Sequence, residues 1–448
     1  MSLIALLIVA VLFIVVSTSV YKLHPFAALV FAAFGFGVFS GMPLVEVVAA
    51  VNRGFGDTIG YIGIVIVGGS IIGTFLQKSG GAQQIAQAVL RLTGKKNTTP
   101  TMGVVGYLVS MPVFCDSGFV LLSPVNKALV KKAGGSLAAG AVALSLGLFA
   151  THSMVPPTPG PVAAAGILEA DLGLVIVWGL VVSLVALIGG ILFAVYVASK
   201  VTLGEGADAG RDELQEWELM SSKQPSALAA ALPILFPIGL IVLRSIAELP
   251  SRPFADGQWV NFLVFVGQPS VALLIGVMLV LAIPRRLDAR ILSDRGWIGE
   301  AIAAAAVIIV ITGAGGAFGS VLQASQIGEV IGARMADWQL GILLPFLVAA
   351  AIKTAQGSST VAIVTTASLL APLMDSLGFD TAVAKALVVV AIGAGSMVVS
   401  HANDSYFWVV TQFSGMTVQQ GYKLQTLGSL VQGSIAAFVV WLLSLWLL

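Results

Sequence analysis

The sequence predicts an all-α polytopic membrane protein made of two inverted repeats, each of about five transmembrane helices. Of the 448 residues, 58% are hydrophobic and only 10% are charged, whereas a soluble domain has roughly 25% charged residues. Apolar stretches of bilayer-spanning length, roughly 18 residues or more, recur along the whole chain. In addition, a stretch in the second half resembles one in the first.

The composition also excludes several classes of protein. A net charge of +1 and dispersed basic residues provide no surface for nucleic acid. Cys115 is the single cysteine, so the chain has no disulfide framework and no Cys-based metal site. With three histidines and no HExxH motif, we expect no bound metal, no cofactor and no enzymatic activity.

Hydropathy and its interruptions predict ten crossings of the bilayer. Residues 79–93 have amphipathic helical spacing and are predicted to lie along the inner interface. The first crossing lacks a basic N-terminal region, so we expect it to be retained rather than cleaved. The predicted crossings are residues 3–20, 25–41, 57–77, 136–166, 173–199, 227–247, 270–284, 298–323, 381–412 and 426–448.

The basic residues set the predicted orientation. Lys22 and His24 follow the first crossing, which places that loop inside and both termini outside. The polar, acidic stretch 200–226 then becomes a cytoplasmic linker between a first repeat, residues 1–199, and a second repeat, residues 227–448. Of the 22 Lys and Arg residues, all are then inside except Arg53, Arg244, Arg252, Arg334, Lys353 and Lys385.

The internal similarity indicates a duplicated architecture. Residues 69–86 align with residues 315–332 at a constant offset, and Thr151-His152 later corresponds to Ser400-His401. An odd number of crossings in each half forces the second half to enter from the opposite face. Inverted repeats with interrupted helices are typical of secondary transporters, which bind their substrate near the midplane of the bilayer.

Two polar clusters, residues 111–124 and 353–366, lie in segments that begin and end on one side of the membrane. These segments, about 100–133 and 339–375, are predicted to be re-entrant helical hairpins whose tips meet near the midplane. Hydroxyl groups and the free N–H groups of half-helix N-termini would form an anion site there. The substrate-binding residues predicted at the tips are Ser117, Gly118, Lys353, Gly357, Ser358, Ser359 and Thr360.

Two further polar clusters interrupt full crossings. The crossing at about 136–166 contains prolines at 156, 157, 159 and 161, which cannot all lie in one unbroken helix. The crossing at about 381–412 contains the sequence His-Ala-Asn-Asp. Both are predicted to be broken helices. The backbone N–H and C=O groups freed at such a break need hydrogen bonds from protein or from water in a cavity, because lipid provides none. Their predicted substrate-binding residues are Thr151, His152 and Asn403.

Three charged residues, Asp116, Lys353 and Asp404, lie in these interrupted segments. A charged side chain at the bilayer centre costs about 2.5–3.5 kcal/mol on insertion scales. We therefore expect these groups to be paired, protonated or in contact with a wet cavity. The residues predicted to couple transport to protons are Asp116, His401 and Asp404. A structural ion pair between Lys353 and an aspartate is the alternative.

At these clusters the sequence resembles the gluconate permease family (gluconate:H⁺ symporters and relatives), part of the ion-transporter superfamily. The resemblance implies proton-coupled uptake of a small organic anion such as gluconate, across the bacterial cytoplasmic (inner) membrane, by a homodimer. The matching motifs are Gly80-Gly81-Ala82-Gln83, Thr151-His152 with Pro156-Pro157, Gly357-Ser358 with Thr360-Val361-Ala362, and Ser400-His401 with Asn403-Asp404.

Departures from the family pattern leave the substrate open. Members tend to have glutamate-valine where this chain has Asp116-Ser117, arginine at Lys353 and leucine at Gln356. D-serine or another hydroxy acid is therefore an alternative substrate. A sodium-coupled carrier of a small organic anion is the alternative mechanism, because the hydroxyls of residues 358–360 and the Asn403-Asp404 pair could also bind a cation through oxygen.

Overall fold

The computed structural model describes the chain apart from a few segments. In the described part all regular structure is helical, and no β-strand is present. Among the described residues, five helices are long and apolar enough to cross a membrane, or up to seven if each of two bent helix pairs forms one span. The predicted all-α polytopic membrane fold is therefore confirmed. The described residues are 3–93, 98–111, 113–203, 225–248, 257–284, 287–325, 327, 340–402 and 404–448.

The helices of the first half end close to the predicted boundaries. The crossing at 136–166 is interrupted as predicted: α7 ends at Met154 and α8 begins at Pro159, whose ring suits the first turn of a helix. The helices are α1 (Leu3–Ser19), α2 (Pro25–Phe39), α3 (Leu44–Lys78), α4 (Gly81–Thr93), α5 (Thr98–Val109), α6 (Cys115–Ala133), α7 (Leu137–Met154), α8 (Pro159–Ile167) and α9 (Leu172–Tyr196).

The second half also contains an interrupted crossing. The predicted break in the crossing at 381–412 lies between α16 and α17, and most of the predicted linker, residues 204–224, is outside the described part. Besides the one-turn helices Ala289–Leu292 and Val418–Gly421, the described α-helices of this half are α10 (Ala227–Ala247), α11 (Gln258–Val266), α12 (Pro269–Leu281), α13 (Trp297–Ala324), α14 (Leu343–Gln356), α15 (Ser359–Leu370), α16 (Ala382–Ser396), α17 (Ser405–Ser414) and α18 (Leu427–Leu447).

Helix α3 begins more than three turns before the predicted third crossing. The third crossing was expected at 57–77, but α3 begins at Leu44 and contains 35 residues, with a bend of 44° between the parts Leu44–Tyr61 and Gly63–Lys78. The polar residues Asn52, Arg53 and Asp57 lie within this helix. They interrupt the hydropathy signal without interrupting the helix, because a helix that projects beyond the hydrocarbon can carry polar side chains.

Contacts between the two halves are reciprocal. Helices α3 and α13, which carry the aligned sequences, pack against each other, and a Cβ atom on Gly54 would lie 2.3 Å from the carbonyl oxygen of Gly316. Helix α6 packs against α17, and α15 packs against α8. If α6 corresponds to α15 and α8 to α17, these last two contacts are equivalent. Under this correspondence the two contacts agree with the predicted repeat. The opposite orientation of the two halves in the membrane remains a prediction.

The predicted orientation can be tested by cysteine labelling, because Cys115 is buried and should react slowly. Glu169 and Lys200 are both exposed, at opposite ends of α9. In intact cells, a membrane-impermeant maleimide should label a Glu169→Cys variant but not a Lys200→Cys variant. Opening the cells should make both react. Labelling of the Lys200→Cys variant alone in intact cells would contradict the assigned orientation.

Candidate functional site

The centre of the candidate site is a buried ion pair. Lys353 Nζ lies 2.7 Å from Asp404 Oδ2, and the Lys353 side chain has no solvent exposure. A buried charge pair is stable only when further hydrogen bonds satisfy its remaining donors and acceptors. We expected these membrane charges to be paired, protonated or in contact with a wet cavity, and Lys353 and Asp404 are paired with each other. A structural ion pair between Lys353 and an aspartate was the predicted alternative to a coupling role, and the sequence left open which aspartate it would be.

Both charges sit at helix ends that favour them. Lys353 is in the last turn of α14, and its ammonium group donates to the carbonyl oxygen of Gly357, just beyond the helix. Asp404 caps the N-terminus of α17 and accepts from the backbone N–H of Tyr406 at 3.1 Å. A cation at a helix C-terminus and an anion at an N-terminus are each stabilised by the helix dipole. The ion pair therefore joins the two chain breaks of the second half.

Neighbouring groups complete the hydrogen bonding of Asp404. The hydroxyl of Ser400 donates to Asp404 Oδ2 at 2.6 Å. The backbone N–H of Ser400 in turn donates to the hydroxyl of Ser429 at 3.0 Å. His401 lies on the same segment, with Nε2 2.9 Å from the carbonyl oxygen of Thr354 in α14. Asn403, predicted to bind substrate, is outside the described residues.

The first half contributes Asp116 and His152 to the same region. Asp116 lies close enough to Asp404 and Lys353 to interact with their charges, and so does His152. Asp116 Oδ1 and His152 Nδ1 are both buried, and neither has a hydrogen-bond partner among the described residues. The ring of His152 packs near that of Phe114, with centroids 6.1 Å apart. The structure thus brings together predicted residues that are far apart in the sequence.

The second hairpin tip has the predicted turn. Gly357 adopts a φ of 94°, a left-handed conformation that L side chains rarely adopt, and so ends α14. The hydroxyl of Ser358 then accepts from the N–H of Val361 and caps α15. Ser359 is buried, and Thr360 is half-buried. A tight turn followed by a capped N-terminus is the expected geometry of an anion site.

The first hairpin tip is built differently from the second. The break between α5 and α6 falls ahead of Gly118, which lies inside α6. Gly118 allows close packing instead of a turn, because its Cβ would lie 2.7 Å from Leu148 Cδ2. Asp116 and the half-buried Ser117 are in the first turn of α6. The carboxylate therefore lies at a helix N-terminus, as Asp404 does in the second half.

Thr151 has a structural partner. Its hydroxyl donates to the carbonyl oxygen of Tyr107 at 2.9 Å, and its side chain is fully buried. The bond holds α7 against α5. While this bond is in place, the Thr151 hydroxyl can only accept a hydrogen bond from a substrate, and its substrate contact stays a prediction.

Two aromatic residues of the site were missed by sequence reasoning. The ring of Phe149 lies 5.7 Å from Lys353 Nζ, within the range of a cation–π interaction. Tyr406 packs against Phe149 with ring centroids 5.2 Å apart and donates to the carbonyl oxygen of Ser145 at 2.9 Å. Phe149 and Tyr406 lie next to the polar motifs in the sequence, and this was the one signal that could have identified them. Their ring contacts depend on how α7 packs against α17, which the sequence does not reveal.

A small cavity lies at the edge of the site. A cavity of about 20 Å³ lies beside the first hairpin tip and the proline break, lined by Ser70, Phe114, Pro157 and Thr158 among others. Such a volume accommodates about one water molecule. Among the described residues, no three His, Cys, Asp or Glu side chains are grouped to hold a metal ion.

Comparison with known proteins identifies the family. The model of the GntP family permeases matches residues 1–446 of the chain. The chain belongs to the GntP permease family. It is 34% identical to a gluconate permease of Pseudomonas aeruginosa, over 98% of this chain and 96% of that one. It is 31% identical to the D-serine transporter DsdX of Escherichia coli, over 98% and 97% of the two chains.

The fold of this GntP permease also resembles solved transporters. The YdaH transporter of Alcanivorax borkumensis has a TM-score of 0.65 at 16% identity, covering 94% of this chain and 99% of that one. MtrF of Neisseria gonorrhoeae has a TM-score of 0.67 at 15% identity, covering 95% and 97%. The predicted family resemblance is confirmed. The chain is a multi-pass membrane transporter and not an enzyme.

Removal of one member of the ion pair should destabilise the protein. In a Lys353→Met variant, Asp404 loses its buried partner, so the free energy of unfolding should fall by about 3–5 kcal/mol. The double variant Lys353→Met/Asp404→Asn should regain most of that loss, because no unpaired charge remains. Thermal unfolding in detergent measures both. A Lys353→Met variant as stable as the parent would contradict the pairing.

The left-handed turn should not tolerate a side chain. Gly357→Ala should lower the free energy of unfolding by about 1–2 kcal/mol, since a Cβ clashes in this conformation. Gly35→Ala is the matched control, because Gly35 lies in α2 and its Cβ would meet nothing within 4 Å. The control should keep or slightly raise the melting temperature. An equal effect of the two substitutions would show that the turn carries no strain.

Proposed function

We propose that this permease imports a sugar-acid monoanion such as gluconate together with a proton. The observation that carries the proposal is the buried Lys353–Asp404 ion pair at the meeting of the chain breaks, with the half-buried Asp116 close enough to interact with both charges. Relatives named as gluconate permeases or gluconate transporters, from Pseudomonas aeruginosa and Escherichia coli, support the choice of substrate class. We further propose the bacterial inner membrane as its location and a homodimer as its assembly.

The charges of the site favour a coupled cation. With Lys353, Asp404 and Asp116 all ionised, these three residues have a net charge of −1. A bound monoanion would make the net charge of the site −2. Excess charge in a water-poor site is costly. One proton taken up with the substrate restores the charge of the empty site. The same proton offsets the electrical work, about 2.3 kcal/mol, of moving an anion inward against 100 mV.

Asp116 is the best placed carrier of that proton. Both carboxylate oxygens of Asp404 are already bound, by Lys353, Ser400 and the Tyr406 N–H. Asp116 Oδ1 has no partner among the described residues, so a proton can be gained or lost there without breaking the ion pair. His401, hydrogen-bonded to a backbone carbonyl, is the next candidate, and Asp404 follows.

Substrate binding requires the site to open. Lys353 is fully buried, so a sugar acid reaches the lysine only if the residues that cover it, which include the second hairpin tip, move. The partly exposed groups at the tip, including Ser358 and Thr360, would contact the substrate first. Its carboxylate would then compete with Asp404 and the Gly357 carbonyl for the ammonium group.

Sodium coupling is the second candidate. The buried hydroxyl oxygens of Ser153, Thr365 and Thr366 have no hydrogen-bond partner among the described residues. Unsatisfied oxygen atoms suit a hard cation, and a sodium ion would balance charge as a proton does. D-serine, the named substrate of one relative, is the alternative to a sugar acid.

Uptake into proteoliposomes distinguishes these possibilities. Because the proton is a co-substrate, we expect gluconate to accumulate when a proton gradient is directed into the vesicle and sodium is absent. The initial rate of uptake should rise as the outside is acidified. In Asp116→Asn the gradient-driven accumulation should be lost. Asp380→Asn, the same change at an exposed loop position, should behave as the parent.

Two results would refute the mechanism. Accumulation driven only by a sodium gradient would transfer the coupling role to that ion. Normal proton-driven accumulation by Asp116→Asn would remove Asp116 from the mechanism. Competition by D-serine, but not by gluconate, would replace the substrate and leave the coupling intact.

A further inference from the structure

A large cavity lies apart from the central site. It has a volume of about 790 Å³, in the range of small-molecule sites, and lies where α3 and α13 face the ends of α8 and α15. Its polar lining residues are Arg53, Asp57, Thr58, Tyr61, Glu169, Ser320 and Gln323.

Two helices connect this cavity with the central site. A Cβ on Gly160, at the start of α8, would lie 4.0 Å from the Cα of Thr360, at the start of α15. The far ends of both helices, at Ile167 and Ala371, line the cavity. The two helices therefore run side by side in the same direction. The 12 residues of α15 place the cavity about 18 Å along that helix from the Gly357 turn.

The cavity contains a cation free to bind a ligand. Arg53 is exposed, and none of the ion pairs found among the described residues involves it. A guanidinium group binds a carboxylate through two parallel hydrogen bonds. Asp57 and Glu169 are also exposed and offer only acceptors. They suit a ligand that brings hydroxyl or ammonium donors of its own, and they disfavour a carboxylate that has none.

We infer that this cavity is a second binding site, for a small carboxylate that also carries hydrogen-bond donors, bound through Arg53 before it moves along α8 and α15 to the central site. The ligand class rests on the proposed function. Both a sugar acid, with hydroxyl donors, and a hydroxy amino acid, with an ammonium donor, have this chemistry. The exposed position of Arg53 makes the site weaker than the buried one.

Equilibrium binding separates the two sites. Radiolabelled gluconate and D-serine are the probes, on purified full-length protein in nanodiscs. The double variant Lys353→Met/Asp404→Asn, which removes the central ion pair, should retain one binding site for at least one probe. Adding Arg53→Gln should weaken that binding roughly tenfold or more, the loss expected for a charge-assisted hydrogen bond. Arg53→Lys should weaken it less.

Matched controls separate local contacts from net charge. Lys78→Gln removes the same charge at the other end of α3, where Lys78 pairs with Glu300, and should leave probe binding unchanged. Asp57→Asn should weaken D-serine binding at least threefold more than gluconate binding, because only D-serine has an ammonium group. Equal losses for the two probes would contradict the assigned contact with Asp57.

Transport by the single variant Arg53→Gln provides a readout that does not depend on the central substitutions. The concentration for half-maximal uptake should rise roughly tenfold, with a maximal rate within twofold of the parent. Unchanged half-saturation, or no binding of either probe to the central-site double variant, would overturn the second site. Arg53-dependent binding without any gluconate or D-serine uptake would instead refute the proposed function and leave the cavity site standing.

Discussion

The ion pair between Lys353 and Asp404 is the constraint on which the rest of the site depends. It joins the C-terminal end of α14 to the N-terminal end of α17, and each charge lies at the helix end that stabilises it. A lysine with no solvent exposure cannot stand alone at membrane depth. The pair therefore fixes where the two breaks meet, and Ser400 and Phe149 are arranged around it.

The sequence was sufficient to predict the breaks, because their causes are local. Prolines 156 to 161 prevent a continuous helix, and Gly357 permits the left-handed turn that ends α14. The partners of the polar side chains were not predictable in the same way. The hydroxyl of Thr151, a predicted substrate-binding residue, donates to the Tyr107 carbonyl, and this partner depends on how α5 packs on α7.

Boundaries and aromatic contacts were missed for related reasons. Helix α3 continues through Asn52, Arg53 and Asp57, because hydropathy reports the lipid-facing surface and not the hydrogen bonds that continue a helix. The ring of Phe149 looks like ordinary core in the sequence, and it becomes a cation partner only when α14 lies beside α7. The 790 Å³ cavity was unforeseen, because its lining comes from four separate parts of the chain.

The central claim is that the meeting point of the chain breaks binds the transported anion. A cryo-EM structure determined with and without gluconate tests it most directly. The account predicts density for the ligand between the Gly357 turn and the segment 400–404, with its carboxylate within hydrogen-bonding distance of Lys353 Nζ and with Asp404 displaced. An unchanged ion pair in the presence of bound, transported gluconate located elsewhere in the bilayer would contradict it.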